Sequence, residues 1–324
     1  MELRKDYILN RWVIISKTRG KRPDQFKQEA DIYAGDPGPT ECHFCPGNED
    51  KTPPEWGRIK DEQGNWKIRW YKNLFPAVET SGKHEIETHN HFFTFSNAYG
   101  HHEVIAETND HKKQYWDFSD EELVEILNVY ANRIDELSGK PNIKYVSVFK
   151  NHGKRAGTSI IHSHSQAISL NVIPHEVQIK LDATKKFESC PYCDLVKEEA
   201  QGIRKIHENE SCLAFAPYAS RFNMEAWIFP KNHYKTLHDF SEKDMKNLAQ
   251  CMKIVLDRLK SLNVAFNMCL FYTPKGEDMH FHIEFMPRIQ IPAGFELGSG
   301  VYINVVPPED AAAWYRGEHT KKTE

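Results

Sequence analysis

Two long segments of the chain carry apolar residues at intervals of three and four and therefore predict amphipathic helices. They are EELVEILNVYANRIDEL, residues 121–137, and EKDMKNLAQCMKIVLDRL, residues 242–259. Such spacing places the apolar side chains on one face of a helix. Ser119 and Ser241 precede the segments, and each has an acidic residue three positions further on. This arrangement is typical of a capping box, so each helix is predicted to begin directly after its serine.

Runs rich in β-branched and aromatic residues flank both predicted helices. HHEVIAET and KYVSVFK flank the first helix, and CLAFAP, EAWIFP and NMCLFYT flank the second. A further run in each half contains two histidines one residue apart, His162-Ser163-His164 in the first and His280-Phe281-His282 in the second. Each half therefore has the order strands, helix, strand, strand. This order predicts an α+β fold in which one unit occurs twice.

Single residues recur in the same order in the two halves and indicate an internal repeat. Asp117-Phe118-Ser119 follows His111, and Asp239-Phe240-Ser241 follows His233 at the same offset. A C-x-x-C pair opens each half, and an H-x-H sequence follows each helix. Several landmarks at corresponding positions are the signature of a duplicated structural unit.

Composition excludes several classes of protein. The 324 residues contain 42 Lys+Arg and 46 Asp+Glu, a net charge of −4, so no basic excess suggests nucleic acid as a partner. The N-terminal sequence MELRKDYILNRWVII does not have the pattern of a signal peptide. No run of about 18 apolar residues predicts a transmembrane helix. We therefore expect a cytoplasmic enzyme that binds neither nucleic acid nor membranes.

The cysteines favour metal binding over disulfides. There are seven, an odd number, and four of them form the two C-x-x-C pairs. Two thiolates at this spacing supply half of a tetrahedral zinc site, and a histidine before and after each helix can complete it. Disulfides and buried thiols are the alternatives for these pairs. The predicted ligand sets are Cys42, Cys45, His111 and His162 in the first half and Cys190, Cys193, His233 and His280 in the second.

The sequence His162-Ser163-His164-Ser165-Gln166 is the candidate reactive site. In an extended strand His162, His164 and Gln166 lie on one face. If His162 binds zinc, His164 is free to attack phosphorus and form a phosphoramidate, unless it is only a buried core histidine. Gln166 can donate a hydrogen bond to a phosphate oxygen. Glu284 replaces this glutamine in the second half and would repel phosphate, so only the first half is predicted to be catalytic.

These motifs together resemble the galactose-1-phosphate uridylyltransferase family of the histidine triad (HIT) superfamily, over nearly the whole chain. Cys42-His43-Phe44-Cys45-Pro46-Gly47-Asn48-Glu49 is similar to the family's zinc knuckle, and the residues from Asn151 to Gln166 are similar to its active-site motif. The resemblance implies that His164 is the nucleophile, that Gln166 assists it, and that the two Cys2His2 sets hold structural zinc. It also implies that nucleotide and phosphates contact Arg19, Arg22, Asn73, Asn151, Gly157, Ser159 and Gln166.

The resemblance also implies how the chain is organised. It predicts a tandem repeat of two HIT-like units, each an antiparallel sheet with a long helix. Residues 1–188 would form the catalytic half with the zinc knuckle, and residues 189–324 the second half with its own zinc site and a tail. Members of the family are dimers in which this tail reaches the partner's site. Phe295 and Glu296 are therefore the tail residues expected to contact substrate, in a homodimer.

The sequence departs from the best-known members of the family at three places. Ser163 stands where they have proline, the second half has a cysteine pair in place of another metal arrangement, and the tail at 294–304 lacks their glutamine. These features are similar to a sister branch that includes ADP-glucose phosphorylase. The first hypothesis is a ping-pong transferase that acts on UDP-glucose and galactose 1-phosphate, and the second is an ADP-glucose phosphorylase with inorganic phosphate as acceptor.

Two further hypotheses belong to other functional classes. One is a non-catalytic, zinc-stabilised protein that binds nucleotides. The other is a nucleotide hydrolase, which is disfavoured because hydrolases of the superfamily carry a third histidine where this chain has Gln166.

Overall fold

A ten-stranded antiparallel sheet forms the centre of the molecule. The structure, a computed structural model, describes residues 1–21 and 35–318. The strands are β1 (Glu2–Lys5), β2 (Trp12–Ile15), β3 (Glu55–Lys60), β4 (Trp66–Lys72), β5 (Glu87–His89), β6 (Phe93–Phe95), β7 (His102–Ala106), β8 (Tyr145–His152), β9 (His164–Leu170), β10 (Lys205–Glu208), β11 (Cys212–Phe215), β12 (Ala226–Pro230), β13 (Phe266–Phe271), β14 (His282–Pro287) and β15 (Tyr302–Asn304).

The order of strands repeats from the middle of the sheet outwards. On one side it is β8, β9, β7, β4 and β3, and on the other β13, β14, β12, β11 and β10. The two sets join where β8 pairs with β13 through the register Asn151↔Asn267. This arrangement confirms the predicted α+β fold with a repeated antiparallel unit. The division of the chain at 188/189 stays a prediction, and the continuous sheet crosses it.

Both predicted long helices are confirmed. The helices are α1 (Asp120–Ser138), α2 (His175–Thr184), α3 (Pro191–Gln201), α4 (Glu242–Leu262), α5 (Gly294–Ser299) and α6 (Pro308–Tyr315). Ser119 begins α1, because its Oγ accepts from the Glu122 N–H at 3.3 Å while the Glu122 carboxylate accepts from the Ser119 N–H at 2.8 Å. Ser241 and Asp244 cap α4 in the same way.

Helices α1 and α4 contact each other and cover the sheet with their apolar faces. Leu123 and Leu127 of α1 and Leu248 and Leu256 of α4 are fully buried in one core that extends through both halves. Burial of these stripes accounts for the helical periodicity in the sequence. The shared core also holds the two halves of the sheet in a fixed position relative to each other.

A small sheet and a hairpin were not predicted. Strand β2 pairs with β1 antiparallel and with β15 parallel, so the N-terminal residues pack near the C-terminal end of the chain. Strands β5 and β6 form a separate two-stranded hairpin. None of the helices formed by the described residues has the length and apolar character that crossing a bilayer requires.

Candidate functional site

The four predicted ligands of the first metal set converge at one point. The Cys45 Sγ lies 3.1 Å from His111 Nδ1 and 3.4 Å from His162 Nδ1, and the Cys42 Sγ lies 3.7 Å from His162 Nδ1. All four side chains are buried. The pair of cysteines sits on a tight turn closed by the Cys45 N–H, which donates to the Cys42 carbonyl at 3.2 Å.

The two imidazoles of this set are oriented by partners on their far side. His111 Nε2 lies 2.9 Å from both carboxylate oxygens of Asp36, and His162 Nε2 lies 2.7 Å from the Thr108 carbonyl. Each Nε2 therefore donates its proton outwards, and each Nδ1 lone pair points to the thiols. Burial lowers the pKa of His162 to about 4, which keeps this ring neutral.

The second set repeats this arrangement nearer the surface. Cys193 Sγ lies 3.3 Å from His233 Nδ1 and 3.5 Å from His280 Nδ1. Asp278 accepts from His233 Nε2 and the Pro230 carbonyl from His280 Nε2, both at 2.9 Å. With Cys190, the four ligand atoms lie within 4.8 Å of one another.

Both sets fit a tetrahedral zinc ion. Zinc–sulfur and zinc–nitrogen bonds of about 2.3 and 2.0–2.1 Å require ligand atoms roughly 3.3–3.8 Å apart. The sulfur–nitrogen distances given above are close to that range. Burial and the adjacent thiol raise the pKa of Cys45 and of Cys193 to about 12. A divalent cation would be needed to hold both cysteines of each pair as thiolates.

The hydrogen bonding and burial of His164 leave one of its ring nitrogens unprotonated. Its Nδ1 donates to the His162 carbonyl at 2.8 Å, so the neutral ring has its lone pair on Nε2. Burial and the nearby Lys150 ammonium lower the pKa of His164 to about 4. No described residue forms a hydrogen bond with Nε2. This nitrogen is therefore available to an electrophile at neutral pH.

Gln166 is held by a histidine that sequence reasoning missed. The Ala77 N–H donates to His102 Nδ1 at 3.0 Å, so His102 Nε2 carries the proton and donates to Gln166 Oε1 at 2.8 Å. The amide N–H groups of Gln166 remain as donors beside His164. Asn73, a predicted contact residue, lies in the same group, with its Nδ2 3.1 Å from His102 Nε2. Two adjacent histidines at the start of HHEVIAET were the available signal.

The glycine-bearing loop predicted to hold phosphates lies next to His164. A narrow cavity of about 10 Å³ is lined by both His164 and Asn151. Gly157 has φ +91°, a backbone conformation that L side chains rarely adopt. Ser159 lines a neighbouring cavity of about 300 Å³, which also borders His111 of the first ligand set. Asn151 thus lines the same cavity as His164, whereas Ser159 lines the neighbouring one.

Among the described residues, no hydrogen bond or shared cavity links Arg19, Phe295 or Glu296 to His164. Arg19 is partly buried in a short 3-10 helix, Lys17–Lys21, and its Nε has no hydrogen-bond partner among the described residues. Arg22 lies outside the described residues. Glu296 accepts from the Ala293 N–H at 3.0 Å, which engages it in its own helix, and Phe295 is half exposed. Roles for these residues stay predictions.

In the second half both ring nitrogens of the corresponding histidine have hydrogen-bond partners. His282 Nδ1 lies 3.0 Å from the His280 carbonyl, as in the first half, but its Nε2 accepts from Lys180 Nζ at 2.8 Å. Glu284 in turn accepts from Lys180 and from Arg221. The His282 ring is fully buried and stacks on Phe229, with a centroid distance of 4.6 Å. Lys180 occupies the position that an electrophile would need.

Comparison with known proteins settles the family. Residues 1–174 match the family described as galactose-1-phosphate uridyl transferase, N-terminal domain, and residues 98–314 match a domain of unknown function, DUF4921. The chain belongs to the galactose-1-phosphate uridylyltransferase family. Membership confirms the resemblance inferred from the motifs and, with it, the enzyme class of a transferase.

Individual relatives in this family cover almost the entire chain. An ADP-glucose phosphorylase of Arabidopsis thaliana is 36% identical, over 96% of this chain and 91% of that protein. A galactose-1-phosphate uridylyltransferase of Thermotoga maritima is 29% identical, over 98% of each. The crystal structure of an Arabidopsis thaliana ADP-glucose phosphorylase with bound ADP-glucose superposes with a TM-score of 0.83 at 33% identity, over 97% of this chain and 98% of that one.

Proposed function

We propose that the protein is a nucleotidyltransferase that exchanges a nucleoside monophosphate between a nucleoside-diphosphate sugar and a hexose 1-phosphate. UDP-glucose and galactose 1-phosphate are the leading substrates. The observation that carries the proposal is the hydrogen bonding of His164, whose Nδ1 donates to the His162 carbonyl while Nε2 has no partner among the residues that the structure describes. The uridylyltransferase relatives, each matched over most of its length, support the same reaction.

In the first step His164 Nε2 attacks the phosphorus atom bonded to the nucleoside. A phosphorus–nitrogen bond forms, the bond to the bridging oxygen breaks, and the hexose 1-phosphate leaves with both electrons of that bond. Negative charge grows on the non-bridging oxygens as the nucleophile approaches. The Gln166 side chain, whose oxygen accepts from His102, and the loop around Gly157 supply N–H donors for these oxygens.

In the second step a phosphate oxygen of the acceptor attacks the same phosphorus. The phosphorus–nitrogen bond breaks and returns its electron pair to Nε2, which restores neutral His164. No net proton is consumed over the two steps. The overall sequence is a ping-pong reaction with one histidine alternately free and nucleotidylated.

A second candidate is an ADP-glucose phosphorylase, in which inorganic phosphate replaces the hexose 1-phosphate as acceptor. The observation that favours it is the 36% identity and the TM-score of 0.83 to the Arabidopsis thaliana proteins. Both candidates use the same first step, so the residues around His164 serve either. They differ in the base and in the second phosphate compound.

A substrate panel distinguishes these functions. UDP-glucose and ADP-glucose are each incubated with galactose 1-phosphate or with inorganic phosphate, and products are separated by anion-exchange chromatography. We expect the fastest turnover with UDP-glucose and galactose 1-phosphate, giving UDP-galactose and glucose 1-phosphate. Faster formation of ADP and glucose 1-phosphate would favour the phosphorylase. Nucleoside monophosphate release would indicate a hydrolase, and binding without turnover a non-catalytic protein.

We infer that each chain binds two zinc ions and that their role is structural. Four protein ligands leave no open position for water or substrate, so each ion would stabilise the fold without taking part in the reaction. In the first half His162 would hold the metal while its carbonyl holds the ring of His164. The metal would therefore fix the backbone immediately before the nucleophile.

We further propose that the protein is a homodimer. The β5–β6 hairpin exposes Phe92, Phe93 and Phe95, and an isolated two-stranded hairpin is at best marginally stable in water. A second copy of the chain would cover these rings and stabilise the hairpin. We expect a dimer in sedimentation velocity at micromolar concentration. Replacement of Phe92 and Phe93 by serine should shift the protein to monomers, and a monomeric wild type would contradict the proposal.

A further inference from the structure

The two serines of the reactive sequence share one partner behind the strand. Ser163 and Ser165 point away from the face that carries His164 and Gln166, as alternation along a strand requires. Ser163 Oγ donates to Glu107 Oε2 at 2.7 Å, and Ser165 Oγ donates to Glu107 Oε1. One carboxylate therefore ties together the residues on either side of the nucleophile.

Glu107 is part of a buried ion pair whose hydrogen bonds are well satisfied. The carboxylate is fully buried and also accepts from the Tyr130 hydroxyl at 2.7 Å and from the Lys150 ammonium. Lys150 is itself 1% exposed. A buried pair of this kind contributes little net stability compared with apolar residues of similar volume. Stability alone thus gives no reason for placing a lysine and a glutamate under this strand.

Lys150 connects the ion pair to the nucleophile. Besides Glu107, its Nζ donates to Ser163 Oγ and to the His164 carbonyl, both at 3.0 Å. These three bonds use all the N–H groups of the ammonium. His164 is consequently held at two points, its ring by the His162 carbonyl and its own carbonyl by Lys150. Rotation of this peptide group would swing the ring and displace Nε2.

We propose that Ser163, Ser165, Glu107 and Lys150 form a positioning unit that fixes the His164 peptide so that Nε2 meets the phosphorus atom in line. The inference rests on the proposed nucleophilic role of His164. None of the four residues is catalytic, since they act through the strand from its far side. The unit gives the two serines of the H-S-H-S-Q sequence a function that the transfer chemistry leaves unassigned.

The experiment compares serines that lie on the same face of the extended segment 163–169. Ser163→Ala/Ser165→Ala removes both hydroxyls that bind Glu107. Ser169→Ala is the matched control, because Ser169 is equally buried on β9 but accepts from the His101 N–H at 2.7 Å. Transfer of radiolabel from UDP-glucose, or from ADP-glucose if the panel favours it, to His164 is measured in a single turnover. We expect the double variant to be labelled about 10- to 100-fold more slowly, with KM for the sugar nucleotide changed less than about twofold.

Rescue separates positioning from a general loss of structure. Ser163→Thr/Ser165→Thr keeps both hydroxyls, and we expect its labelling rate to lie within about fivefold of the wild type. Ser165→Ala alone is the milder variant if the double alanine variant does not fold, and it should be slowed about threefold or more. Wild-type labelling rates in the alanine variants, or equal slowing in Ser169→Ala, would overturn the proposal. Absence of label in the wild type would instead contradict the proposed function.

Discussion

Replacement of His164 by alanine is expected to abolish covalent labelling and to lower turnover by at least about a thousandfold, since it removes the nucleophile of both steps. The expected loss follows from geometry as well as residue type. Nε2 of His164 has no hydrogen-bond partner among the described residues, so its lone pair is available to the substrate. Label transfer is measured by gel autoradiography, and exchange by chromatography with the preferred substrate pair.

His282→Ala is the matched control in the second half. Its Nε2 is already bonded to Lys180, so this histidine should accept no label, and the variant should label at His164 as the wild type does. Thermal unfolding of both variants reports any loss of fold. Equal labelling of wild type and His164→Ala would show that another residue is the nucleophile.

The long helices were predictable because their signals are local. Ser119 and Ser241 form capping boxes within four residues, and the apolar stripes of α1 and α4 repeat within each turn. The ligand sets span longer distances, but the internal repeat aligned His111 with His233. Duplication thus supplied the long-range information that one copy of the pattern lacks.

The residues that support the reactive site were not predictable in the same way. His102 and Glu107 lie at opposite ends of β7 and Lys150 lies on β8, and their contacts depend on the pairing of β7, β8 and β9. Strand order is set by packing of the complete sheet, which no local pattern encodes. A charged residue in a predicted strand, such as Lys150 at the end of KYVSVFK, gives no indication of which residue is its partner.

The prediction that the second half is inactive rests on a different contact in the structure from the one the sequence suggested. The sequence favoured an inactive copy because Glu284 would repel phosphate. In the structure Glu284 is neutralised by Lys180 and Arg221, and the larger obstacle is Lys180 on His282 Nε2. Lys180 lies on α2, outside every motif compared between the halves. The histidine strand is therefore similar in the two halves, while the charged residues around its second histidine differ.

Loss of the first metal set is expected to have the largest effect on stability. Cys42→Ser should lower zinc content by about one ion per chain and the unfolding midpoint by at least about 10 °C. Without the ion, His162, His111 and Cys45 would have to bury their polar atoms without a common partner. Because the His162 carbonyl also holds the His164 ring, label transfer should fall with the zinc content. Zinc is measured by mass spectrometry and unfolding by calorimetry.

Cys212→Ala is the matched control for this prediction, because Cys212 is fully buried but belongs to neither ligand set. It should retain about two zinc ions per chain, and its free energy of unfolding should fall by only the roughly 1–2 kcal/mol expected for a small core truncation.

Cys193→Ser tests the second set separately and should lower zinc content by about one ion while labelling of His164 continues. If wild-type protein purified without chelators contains less than about one zinc per chain, or if Cys42→Ser keeps the wild-type metal content, the first set is not a zinc site.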